Sequence, residues 1–189
     1  MKENRKRRLM VLAIIFGAMA AILAVGFVIP ERKAMPCGTA ASYNADSYWT
    51  WPWTRGRSGH PHLGVDIFGK IGTPVVAQTG GVVLQAGDWG GTAGNMVTVV
   101  GPKWRVYTYM HLDSVTVKVG EWLSVGEQIG TLGCTGNARN TPPHVHFEAI
   151  TPIPYVWLYF DDYGKKGIPS KYSWMKMFWL NPADHLPRK

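Results

Sequence analysis

Cysteine is nearly missing from this chain. Cys37 and Cys134 are the whole supply among 189 residues, so a disulfide framework is excluded and at most one bridge remains. Neither has the partner spacing of a thiolate metal site. The HExxH of helical zinc proteases is also absent, so the glutamate base that such enzymes place on a helix is missing. There is no internal repeat, no low-complexity tract, no nucleic-acid-binding motif and no convincing amphipathic helix before residue 150. What is present suits one medium domain plus a short extra element. A hydrophobic content of 46% with 12% aromatics supplies a core and excludes wholesale disorder.

Charge is unevenly spread. Lys2, Arg5, Lys6, Arg7 and Arg8 against Glu3 give residues 1–8 a balance of +4, half of the chain's +8. This cluster precedes Leu9–Ile29, a run without a charged residue. As a helix that run spans about 31 Å at roughly 1.5 Å per residue, enough to cross a bilayer. The basic cluster should stay in the cytoplasm and place everything after Pro30 outside. Residues 1–8 therefore read as a cytoplasmic tail and 9–29 as a transmembrane signal anchor in the inner membrane. A cleaved signal peptide is the rival reading, but its apolar region is normally shorter. Residues 30–50 are poor in large aliphatics and read as a linker, with the folded domain over 51–187.

Within that domain, short stretches rich in β-branched and aromatic residues alternate with glycine and proline breaks. They include Val65–Ile67, Thr73–Ala77, Gly81–Gln85, Met96–Val100, Arg105–His111, Val115–Val117, Gln128–Leu132 and Val145–Ile150. Each is too short for a typical helix. The pattern predicts an all-β domain of many short antiparallel strands, a barrel or sandwich. Residues 151–179 differ, crowding aromatics among prolines and lysines. They form an insertion beside a binding groove, a patch lying on the membrane, or a cap on one end of the sheet.

Histidine placement carries the chemistry. In HPHLGVDI, strand alternation puts His62, Gly64 and Asp66 on one face and Leu63, Val65 and Ile67 on the other. In PPHVHFEAI it pairs His144 with His146 and buries Val145 and Phe147. With His111, these residues exceed the three ligands of a catalytic zinc site by two. The surplus suits hydrolysis, which also needs a proton acceptor and a group facing the developing oxyanion.

The order and context of HLGVDIFGKIGTPVVAQTGGVV, GGTAGNMVTVVGP, YMHLDSVTVKVGEWLSVGEQIGTLGCTGNARNTPPHVHFEAI and LNPADHL resemble the lysostaphin-type zinc metallopeptidases, the LytM-domain family. The resemblance covers about residues 55–150 and 180–186. It implies a β-rich fold with an open groove and one zinc ion per chain, held by His62, Asp66 and His146. It implies His111 and His144 as catalytic histidines, and peptide stems of bacterial peptidoglycan as substrate. Tyr109 and Asn95 are candidates for substrate or oxyanion contact, with core packing an equal use of Tyr109. His60 reads as a surface residue, and His185 matches no catalytic position. A Cys37–Cys134 disulfide is chemically permitted on the outer side of the membrane. The stretch 151–178 is longer than the family's usual link between the HxH strand and its asparagine-proline ending. Two rivals stand beside this reading: a non-catalytic scaffold or amidase activator using the same groove, and a cupin-type metal barrel, against which the spacing of Glu148 argues.

Overall fold

A computed structural model describes residues 2–38, 42–50, 61–160 and 170–187. Helix α1 (Lys2–Val28) contains the apolar run, and its Asn4–Val28 portion is long and apolar enough to cross a membrane. Among the described residues ten strands follow: β1 (Ser42–Tyr43), β2 (Val65–Phe68), β3 (Pro74–Val76), β4 (Gly81–Asp88), β5 (Asn95–Val100), β6 (Val106–Val115), β7 (Trp122–Leu123), β8 (Gln128–Leu132), β9 (His144–Ile150) and β10 (Trp179–Leu180). The main path of the sheet runs β1-β2-β9-β6-β5-β4-β7, with β10 joining β9 and the β3–β8 pair attached through β6. The described pairings are antiparallel, and the sheet is open.

Alternation works as the sequence predicts in the strands that matter. Val65, Ile67, Val145 and Phe147 are fully buried in one core with Val97, Val99, Tyr107 and Leu112. Val115–Val117 is not a strand of its own, because β6 runs continuously through His111 to Val115.

The stretch expected to be a linker is packed. Glu31 pairs with Arg105 at 2.7 Å, Ala34 N–H donates to Gln78, and Val76 N–H donates to Pro36. Trp49 is fully buried, and its backbone exchanges hydrogen bonds with the segment around His62. The composition misled because a few aromatics, Tyr48 and Trp49, supply the burial that aliphatics usually provide. Cys37 is also fully buried, forming a bridge with Val75, and both cysteines are free thiols. Burial in apolar surroundings pushes the Cys37 thiol up to about 12.

The aromatic stretch divides its roles. Trp179 and Leu180 extend the sheet beside β9, and Tyr48 Oη donates to the Trp179 carbonyl at 2.5 Å. Val156, Trp157, Phe160 and Trp174 remain exposed. Its residues 161–169, like His60, lie outside the described residues.

Replacing Trp49 with alanine removes a fully buried indole from the core. The expected cost is about 3–5 kcal/mol, read from urea unfolding of a soluble piece starting at residue 31. A cost under about 1 kcal/mol would restore the linker reading of this segment.

Candidate metal centre

Strands β2 and β9 lie side by side with Asp66 opposite His146 and Phe68 opposite His144. That register turns two motifs about eighty residues apart into one cluster. His62, just ahead of β2, completes it. His62 Nε2 lies 3.0 Å from His146 Nδ1 and 3.3 Å from Asp66 Oδ1, and His146 Nδ1 lies 2.9 Å from Asp66 Oδ1. All three side chains are buried.

The outer nitrogens explain why the inner ones face one another. His62 Nδ1 donates to the Ser47 carbonyl at 2.9 Å, leaving the Nε2 lone pair pointing inward. His146 Nε2 donates to Glu148 Oε1 at 3.1 Å, leaving Nδ1 inward, and Trp179 Nε1 holds the other Glu148 oxygen at 3.3 Å. Three acceptor atoms therefore converge with no donor of their own between them, an arrangement that calls for a cation. Burial opposes a positive charge on His146, but hydrogen bonds to Asp66 and Glu148 outweigh burial and raise its pKa to about 9. Burial likewise acts against the Asp66 carboxylate, yet the two histidines hold it well below the usual carboxylate range.

The donor set fits zinc. Ligands at about 2.0–2.1 Å in a tetrahedron stand roughly 3.3–3.4 Å apart. The three observed separations are at that distance or slightly tighter. Two imidazoles and a carboxylate leave the fourth position open. Gly64 is what allows this closeness: a Cβ there would come within 2.7 Å of His146 Nε2 and 2.8 Å of Cε1.

His111 and His144 flank the triangle. Their rings are 5.0 Å apart edge to face, and His111 lies 6.0 Å from the His146 ring. His111 Nδ1 donates to the Thr135 carbonyl at 3.1 Å, and His144 Nδ1 to the Pro142 carbonyl at 2.8 Å. Both Nδ1 atoms are thus engaged, which leaves Nε2 as the reacting nitrogen of each ring, that of His144 3.8 Å from Asp66 Oδ1. Burial, together with the charge of His146 and His144, lowers the His111 pKa to about 4.

Tyr109 does not join them. Strict alternation would put it on the face of His111, but His111 has φ +66°, a left-handed backbone costly for a non-glycine residue. The register of β5 and β6 shifts at the same place. The kink turns His111 towards His146 and leaves Tyr109 in the core opposite Phe147, where its hydroxyl accepts from Gln78 N–H at 2.7 Å. Asn95 is occupied structurally, its side-chain amide donating to the Asp113 carbonyl at 3.0 Å. Sequence reasoning missed Glu148, Ser47 and Thr135. Glu148, two residues beyond His146, carried a signal, because i and i+2 share a strand face; the two carbonyls carried none.

An open antiparallel sheet thus carries a buried two-histidine, one-carboxylate cluster, flanked by two more oriented histidines. The chain carries a domain of peptidase family M23, matched over residues 60–153 and of the lysostaphin and LytM type. It is 36% identical over 137 residues to lysostaphin from Staphylococcus simulans, a match covering 64% of this chain and 26% of lysostaphin. It is 40% identical over 90 residues to the peptidoglycan DD-endopeptidase ShyA of Vibrio cholerae, covering 48% of this chain and 20% of ShyA. A zinc-containing peptidase from Vibrio cholerae superposes with a TM-score of 0.52 at 32% identity, over 63% of this chain and 37% of the other. The chain thus spans about a quarter or less of the length of these curated relatives.

Two substitutions test how the triangle is held. Glu148→Gln should weaken zinc affinity by about 10–100-fold, and Gly64→Ala should weaken it further by displacing the His146 ring. Chelator competition measures both, and wild-type affinity in either would show that these residues do not position His146.

Proposed function

We propose that this protein is a zinc-dependent endopeptidase that hydrolyses peptide cross-links of bacterial peptidoglycan. In this reading α1 is retained as an anchor in the cytoplasmic membrane and the domain lies on its outer side. The observation that carries the proposal is the convergence of three lone-pair donors beside two histidines whose free Nε2 atoms are available for proton transfer. Family membership and the endopeptidase named among the relatives support the reaction class.

His62 Nε2, Asp66 Oδ1 and His146 Nδ1 would hold the ion. Zinc bound there supplies Lewis acidity, polarising the scissile carbonyl and lowering the pKa of water in the site towards about 7. The chain's own groups do the rest. His111, kept neutral chiefly by burial and with its Nδ1 held by the Thr135 carbonyl, would present Nε2 as acceptor for the proton of the attacking water. His144, its ring oriented by the Pro142 carbonyl, stands across from it and can carry a proton to the leaving amine. Ser47, Thr135 and Glu148 fix the three rings they touch, so little reorganisation is needed when charge develops.

The roles separate in a muropeptide assay on purified sacculi with metal content measured alongside. His146→Ala should lose both zinc and cleavage. His111→Ala should keep its zinc and lose at least about 10²-fold in rate. Full cleavage by both variants would remove the mechanism. Wild-type protein holding one zinc per chain yet releasing no muropeptide would instead identify a scaffold.

A further inference from the structure

The donor triangle sits beside the middle of β6, while the start of that strand carries a second cluster that hydrolysis does not use. Met110 pairs with His146, whereas Val106, four residues earlier, pairs with Ile150. At about 3.3 Å per residue these levels are roughly 13 Å apart. Beyond Val106 opens a cavity of about 520 Å³, walled by Lys33, Lys103, Arg105, Lys176 and the acids Glu31 and Asp184. Glu31 is already engaged, accepting from Arg105 Nη1 at 2.7 Å and from the Tyr107 hydroxyl.

Four cations against two carboxylates leave this cavity positive, and a neighbour registers it. His185 lies in its wall, where burial and the charges of Arg105, Lys33 and Lys103 hold the imidazole down to about 3. Arg105 Nε is buried without a hydrogen-bond partner. The cavity is thus a cationic site built from four separated parts of the chain.

Its location names the occupant. The Pro102–Trp104 turn leans on α1, where Trp104 Nε1 donates to the Leu23 carbonyl at 2.9 Å. Gly26 leaves space for the indole, which a Cβ there would overlap. Leu23 lies six residues inside Ile29, roughly 9 Å down a helix. The indole thus reaches down beside the outer end of the apolar run, anchoring the turn to the helix. Lys103 directly precedes that indole at the helix end, and Lys33 follows the end of α1 by five residues. From Tyr155, also in the cavity wall, the Val156–Phe160 segment leads outward with Trp157 63% and Phe160 84% exposed. A free anion would have no use for that apolar rim; a lipid would.

We propose that this cavity binds the phosphate headgroup of an anionic membrane phospholipid through Lys33 and Lys103, with Val156–Phe160 resting in the same leaflet. The inference depends on the reading of α1 as a retained membrane span. It gives the domain one orientation on the bilayer, with the donor triangle farther along β6 from the Pro102–Trp104 turn and its helix contact.

The test uses the full chain in detergent, offered equimolar phosphatidylglycerol and phosphatidylcholine, with bound lipid counted by native mass spectrometry. Phosphatidylglycerol should be retained at least about tenfold over phosphatidylcholine, and inorganic phosphate at millimolar excess should not displace it. The double variant Lys33→Gln, Lys103→Asn should lose that preference. Asparagine tolerates the left-handed backbone of position 103 (φ +60°), and thermal melting checks that the variant is folded. If it is not folded, the wild-type lipid preference and phosphate competition decide alone. Equal retention of the two lipids, an unchanged preference in a folded double variant, or displacement by inorganic phosphate would each overturn the proposal. Loss of the full chain from membranes under alkaline carbonate would overturn the anchor reading itself, a result distinct from any lipid preference in detergent.

Discussion

Three acceptor atoms held within 3.3 Å of one another, away from water, are the constraint on which this protein turns. Left without positive charge they would repel, and a buried unpaired charge costs several kcal/mol. The protein nevertheless spends structure on bringing them together. The antiparallel register sets Asp66 against His146, a glycine at 64 makes room for the ring, and Ser47 and Glu148 choose which nitrogen faces inward. Each of these features is wasteful for a plain β-sheet core and sensible for a cation site.

The same logic explains why the segment ahead of the sheet is folded. Ser47 orients His62, and the backbone of Trp49 and Thr50 brackets it with hydrogen bonds of 2.7 and 3.1 Å. A free linker would leave His62 unanchored on its outer side. The chain therefore packs almost as soon as it leaves α1, bringing the sheet close to the helix end. Strand β6 then joins two chemistries, with cations where it starts beside the helix and histidines along its middle.

Much of this was legible in the sequence, because two-residue alternation and motif order survive folding intact. His62 with Asp66 and His144 with His146 converge as the strand faces predict, and the all-β character follows from short β-branched runs. The misses have physical causes. Of the two uses open to Tyr109, core packing is the one it takes, because a single left-handed residue at 111 breaks the alternation that would seat it beside His111. Residues 30–50 are poor in large aliphatics, yet Tyr48 and Trp49 there are buried. The Cys37–Cys134 bridge was permitted by compartment alone, and the structure instead sets Cys37 against Val75 as a free thiol. Backbone carbonyls such as those of Ser47 and Thr135 have no sequence signature, since any residue supplies one.

Zinc-edge X-ray absorption on the full chain tests the central claim most directly. The account predicts one zinc per chain in a shell of nitrogen and oxygen at about 2.0–2.1 Å, with two imidazoles and no sulfur. A sulfur shell near about 2.3 Å, or a chain that retains no zinc, would contradict it.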